Sequence, residues 1–153
     1  MRKTALCTAL ALTLLLKGAP GAADDTYAIS KTDAKVTTGT QGKASVTISA
    51  KKGWHLNAEA PLTLKLLPTA GVAVDKAKLG RTDLAISNET TARFDVGITA
   101  SEPGKTAVEA EAGFVLCEES SCRPVKEKFT IAVDATSPAA PAAPAGKWHG
   151  KKK

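Results

Sequence analysis

Two cysteines, Cys117 and Cys122, close the segment Cys117-Glu118-Glu119-Ser120-Ser121-Cys122, and Arg123-Pro124 follow it. A sulfur pair at this spacing has two chemistries open to it. It can bridge and pin a hairpin, or it can cycle between dithiol and disulfide by thiolate attack through a mixed disulfide. A bridge here closes a loop of about six residues, worth roughly 2 kcal/mol in the chain-entropy description, the low end for disulfides. A short bridge near the surface adds little to a fold and is easy to reach. Both properties favour exchange, and neither proves it. The local charge separates the two sulfurs. Arg123 beside Cys122 is expected to stabilise a thiolate there, whereas Glu118 and Glu119 beside Cys117 oppose one. On charge, Cys122 is the better nucleophile.

A second cluster is Lys51-Lys52-Gly53-Trp54-His55-Leu56-Asn57. The plain expectation is a hairpin turn with Trp54 packed on the core and His55 at the surface. Cys117, Cys122 and His55 could supply three metal ligands, but their separation in sequence leaves the geometry open, and no metal is expected. Cys-x-x-Cys-His is absent, which excludes covalent haem attachment. Neither the Cys-x-x-Cys spacing nor the βαβ pattern of thioredoxin-like proteins is present. A cysteine protease would need a histidine paired as base, and an even cysteine pair in an exported chain argues against one. No cofactor is implied. The chain is at most a redox carrier acting with partner proteins, not an enzyme with turnover of its own.

The elements that must position these residues read as strands. Alternation with β-branched residues recurs at 45–49, 62–66, 92–98, 108–116 and 128–133, with a short run at 72–74. Turn signals lie between them, among them Gly39, Gly53, Gly71, Ser87-Asn88 and Pro103-Gly104. No long apolar period of 3.6 residues appears. The expectation is an all-β, immunoglobulin-like sandwich of seven to nine short strands in one domain, with a small barrel as the alternative. The cysteine pair falls between the last two strands, at a hairpin end.

The ends read differently from the body. A basic start, an apolar run over residues 4–16 and small residues before Asp24 have the three parts of a secretory signal peptide, residues 1–23, cleaved after Ala23. The run is shorter than the roughly 20 residues a membrane span needs, so no span is expected after cleavage. Cys7 lies early in that run and is expected to be discarded with it. Residues 137–153 read as a disordered Pro/Ala linker with a basic tail, either simply solvated or tethering the chain to an anionic surface. The domain is then 24–136. The 153-residue chain has a formal net charge of +6. Arg2, Lys3 and Lys17 lie in the leader and Lys147, Lys151, Lys152 and Lys153 in the tail; without these seven charges residues 24–146 stand at −1. A nearly neutral body has no electrostatic footprint for nucleic acid. The expected compartment is oxidising, periplasmic or secreted.

Gly53-Trp54-His55-Leu56-Asn57, then Phe114-Val115-Leu116-Cys117-x4-Cys122-x-Pro124 and the last alternating strand, together resemble the N-terminal periplasmic domain of the DsbD thiol:disulfide interchange proteins. The resemblance covers about residues 27–134. It implies an immunoglobulin-like fold whose cysteine pair takes electrons from a membrane-embedded partner and passes them to thioredoxin-like or other periplasmic oxidoreductases. By this resemblance Cys122 forms the mixed disulfide and Cys117 resolves it, with Trp54 and His55 near the pair and Arg123 and Pro124 in support. The family's capping loop would fall at 84–91. The chain departs from the pattern in having one proline, Pro124, followed by Val125, and in ending after the Pro/Ala tail with no membrane or thioredoxin-like segment. It reads as a free-standing, monomeric version.

Overall fold

The computed structural model describes residues 25–139. The described residues form eleven strands: β1 (Tyr27–Lys31), β2 (Ala34–Thr37), β3 (Gln41–Ala50), β4 (His55–Leu56), β5 (Thr63–Leu67), β6 (Val72–Val74), β7 (Lys78–Leu79), β8 (Leu84–Ser87), β9 (Thr91–Ala100), β10 (Gly104–Cys117) and β11 (Cys122–Thr136). A single 3-10 turn, Arg81–Asp83, precedes β8. The strands make two sheets. One runs β1-β3-β9-β6 with β8 also on β9; the other runs β2-β11-β10-β5-β7 with β4 also on β10. The fold is thus an all-β, immunoglobulin-like sandwich rather than a barrel. The leader, and residues 140–153 of the Pro/Ala linker and basic tail, lie outside the described residues.

The inward faces explain the pairing. Ala44, Val46 and Ile48 of β3 and Ala92, Phe94, Val96 and Ile98 of β9 are buried, each two residues from the next. Val108, Ala110, Ala112, Phe114 and Leu116 do the same along β10, and Ile131, Val133 and Ala135 along the far half of β11. A period of two puts each set on one face of its sheet. Each fully buried aliphatic side chain contributes about 1.5–3 kcal/mol. The chain changes sheets early: β1 pairs antiparallel with β3, then β2 pairs parallel with the end of β11. This ties the first and last strands across the sandwich.

The strand count exceeds the expected seven to nine because β4 and β7 are two-residue pairings, without enough residues to show a period. Residues 84–91 are not a loop. They are β8 and a turn in which Asn88 Oδ1 accepts from the Thr90 and Thr91 amides, and Glu89 O accepts from Leu56 N at 2.7 Å. Leu84 and Ile86 pair with β9, so the sheet claims the segment.

The β10–β11 hairpin carries the cysteines. Its ladder is unbroken from Gly104↔Ala135 to Cys117↔Cys122. The other edge of β10 pairs with β5 over Glu109–Gly113 and then, past residues 57–62, with β4 at Leu116 and Cys117. The outer edge of β11 is guarded from the opposite sheet: Lys31 Nζ donates to Thr130 O and Tyr27 OH to Glu127 Oε2 at 2.9 Å. Such cover blunts an otherwise open strand edge.

Candidate functional site

The hairpin tip sets the site. Glu118 N donates to Ser121 O at 2.9 Å, which makes 118/121 a hydrogen-bonded pair. Antiparallel pairs alternate, so Cys117/Cys122 and Val115/Pro124 are non-hydrogen-bonded pairs. Side chains approach most closely at such pairs. Cys117 and Cys122 are directly opposed, with Cα atoms 4.0 Å apart, and are joined by a disulfide. The same alternation turns the nitrogen of Pro124 away from β10, so its missing N–H costs the ladder nothing.

The two sulfur residues differ in access. Cys117 is 3% exposed; Cys122 is exposed. A nucleophile arriving from solvent therefore meets Cys122 first. Glu118 and Glu119 are exposed at the tip, and the Glu118 carboxylate accepts from Ser121 Oγ at 2.9 Å.

The second cluster is brought to the first by β4. The turn before it closes with Trp54 N donating to Lys51 O at 2.9 Å, and Gly53 takes a φ of +86° there, a conformation that suits glycine. The chain then pairs with β10, Leu56 opposite Leu116 and His55 opposite Cys117. His55, Cys117 and Cys122 thus form one row across three strands. Side chains in such a row have Cβ atoms about 4.5–5.5 Å apart.

Strand alternation splits the candidate residues into two groups. Leu116 is buried in the core, so Cys117 beside it points to the outer face, with Cys122, His55 and Pro124. Arg123 pairs with Leu116 and points inward. Its guanidinium lies 5.4 Å from the centroid of the Trp54 ring and donates to Thr26 Oγ1. Trp54 itself packs against the core, as expected. Two contacts of the guanidinium thus lie on the inner face, away from the side on which Cys122 projects. Adjacent in sequence means opposite in face on a strand, and the charge is directed to Trp54 and Thr26.

A residue that the sequence put in the cluster without a role now acquires contacts. Asn57 N donates to Val115 O at 2.9 Å, and its side-chain amide donates from Nδ2 to Cys117 Sγ at 3.4 Å. Its Oδ1 accepts from the Glu59 and Ala60 amides at 2.8 and 2.9 Å. Arg81 clamps the same loop, donating from Nε to Ala60 O at 2.8 Å and from its other end to Asn57 O. The sequence signal was Asn57 two residues after His55, on the same side of an extended chain. Arg81 carried none, since it lies 24 residues away from Asn57.

Among the described residues no group of three or more His, Cys, Asp or Glu side chains is placed to hold a metal ion, and no helix is long and apolar enough to cross a membrane.

No known family and no curated protein matches the chain. Similar solved structures exist. The AggA major subunit of aggregative adherence fimbriae type I from Escherichia coli is 14% identical, with 72% of this chain and 94% of that one covered and a TM-score of 0.38. WR4, a member of the MSP family of C. elegans, is 10% identical over 71% of this chain and 97% of its own, with a TM-score of 0.38. The seventh PapD-like domain of human CEP192 is 11% identical over 85% and 99%, with a TM-score of 0.37. None of these likenesses bears on the chemistry of the sulfur pair.

Proposed function

We propose that the sandwich is an exported thiol–disulfide exchange module of the DsbD N-terminal kind, with Cys117 and Cys122 as its redox pair. The observation that carries this reading is the position of the bridge. It spans a pair the β10–β11 ladder already holds together, so as a staple it is largely redundant, and one of its two residues is open to solvent. In the exchange, a partner thiolate bonds to Cys122 Sγ, the intramolecular S–S bond breaks, and Cys117 leaves with the electron pair. A second thiol of the partner then attacks the mixed disulfide. The partner is oxidised and the pair reduced by two electrons. Partners of this chemistry are thioredoxin-like oxidoreductases and a membrane electron transporter. His55 pairs with Cys117 across β4 and β10.

A second reading is a structural or binding sandwich whose bridge simply pins the hairpin. The burial of Cys117 favours it, because a buried, directly opposed pair is also what a structural bridge requires. It asks for no partner and no chemistry beyond bond formation, and so makes the smaller claim.

The reduction potential separates the two. Equilibration with glutathione, read by thiol trapping, should give a value above about −300 mV for the exchange module. In the same preparation Cys117→Ser should accumulate a mixed disulfide through Cys122. A potential below about −300 mV assigns the bridge to structure.

A further inference from the structure

The amide of Asn57 is held in a single orientation. Its Oδ1 is occupied by two backbone donors, Glu59 N and Ala60 N. An oxygen fixed in this way determines which end of the amide is Nδ2. Its own backbone is tied to Val115 O on one side and to Arg81 on the other. The remaining polar atom, Nδ2, is aimed at Cys117 Sγ, 3.4 Å away. Cys122 Sγ has no such donor among the hydrogen bonds of the described residues.

From this asymmetry we infer that Asn57 is a catalytic residue of the exchange reaction, donating a hydrogen bond to the Cys117 thiolate as it leaves. The inference rests on the exchange reading above and adds a direction to it. A disulfide breaks fastest when the departing sulfur is the better leaving group. The incoming thiolate gives its electron pair to Cys122 Sγ, the Sγ–Sγ bond breaks, and its pair passes to Cys117 Sγ. A buried thiolate without a donor is costly, and Asn57 Nδ2–H meets the charge where it develops, with no rearrangement of the loop. The thiolate then takes a proton from solvent. A second thiol of the reductant attacks the mixed disulfide, closes its own disulfide and releases Cys122. Two electrons and two protons move from reductant to protein. The other charged group near this sulfur in sequence, Glu118, accepts from Ser121 Oγ.

The test isolates one thiol. In the full chain carrying Cys7→Ser and Cys122→Ser, Cys117 is titrated by thiolate absorbance, with and without Asn57→Ser. Serine can still accept in the turn, as hydroxyls do more weakly, but is too short to reach the sulfur and adds no charge. The expected result is a Cys117 titration midpoint raised by about one to two pH units. In the Cys7→Ser chain with the bridge intact, reduction by dithiothreitol should slow by about tenfold in Asn57→Ser, since a leaving thiol of higher pKa departs more slowly. Asn57→Asp keeps the accepting oxygen and should raise the midpoint at least as far. If Asn57→Ser leaves both the midpoint and the rate unchanged while the parent chain exchanges readily, the role of Asn57 is overturned and the exchange reading stands. If the midpoint moves but the bridge resists thiol reductants in every variant, the exchange reading fails and takes the catalytic role with it, leaving a hydrogen bond without a reaction.

Discussion

Arg123 spends its charge on the inner face of the hairpin. The guanidinium stacks over Trp54 at 5.4 Å and donates to Thr26 Oγ1, so it joins β11 to the turn before β4 and to the residue before β1. The effect of removing it is therefore structural. A cation–π contact and a hydrogen bond together are worth about 1–2 kcal/mol. Arg123→Met should lower stability by about that amount in urea unfolding. The alkylation rate of Cys122 in the reduced protein should stay within about twofold, because no side-chain charge is removed from the sulfur's face. A several-fold fall in that rate with unchanged stability would restore Arg123 to the chemistry and show that the facing argument is wrong.

The turn Arg81–Asp83 is a small element with a long reach. Gly80 N donates to Asp83 Oδ2 at 3.0 Å, and Lys76 Nζ to Asp83 Oδ1 at 2.5 Å. The Lys76 hydrogen bond first, then the Gly80 N–H, hold the Asp83 carboxyl below the ordinary carboxylate range. A depressed value means that the unfolded chain binds this proton more readily than the folded one. The stabilisation is complete above the ordinary carboxylate pKa, about 3.9, and is lost as pH falls through the lower folded value. Asp83→Asn should therefore destabilise the protein near pH 7, and the difference from the parent should narrow as pH falls below the ordinary carboxylate pKa, about 3.9, read from urea midpoints at pH 7 and in acid. A difference that does not narrow on acidification would mean that Asp83 acts through packing and not through charge. Arg81 sits in this same turn and clamps residues 57–60, so a line of contacts runs from Lys76 through the turn to Asn57 and Cys117. This route from Lys76 to the sulfur was invisible in the sequence. What was visible were the long alternating runs now seen as β3, β9, β10 and β11, where β-branched residues repeat every second position, and the placing of the cysteines at a hairpin end. The short strands were not visible. β4 has two residues and exists because β10 offers it an edge, yet it alone sets His55 beside Cys117. The face of each candidate residue was also hidden until the register with Leu116 was known.

For the molecule as a whole, the question is whether the sandwich can live without its bridge. A relay must hold its fold in both redox states; a staple need not. The bridge closes six residues, worth about 2 kcal/mol in the entropic description. Phe94, fully buried between Val46 of β3 and Leu84 of β8, should cost about 3–5 kcal/mol when cut to alanine, in a domain whose total stability is of order 5–15 kcal/mol. The core thus outweighs the bridge: it runs along β3, β5, β9, β10 and β11, and only its end at Leu56, Phe114 and Leu116 reaches the tip. The reduced protein should keep its near-ultraviolet spectrum and unfold in a single cooperative transition. Its stability should fall by about 2 kcal/mol, less than that of oxidised Phe94→Ala. The ladder from Gly104↔Ala135 to Leu116↔Arg123 would then hold the two thiols opposite each other, ready to close again, and reoxidation should be fast and independent of protein concentration. If reduction instead abolishes the native spectrum, the bridge is part of what makes the fold possible. A pair that unfolds its own scaffold on accepting electrons cannot serve as a carrier, and the structural reading would take its place.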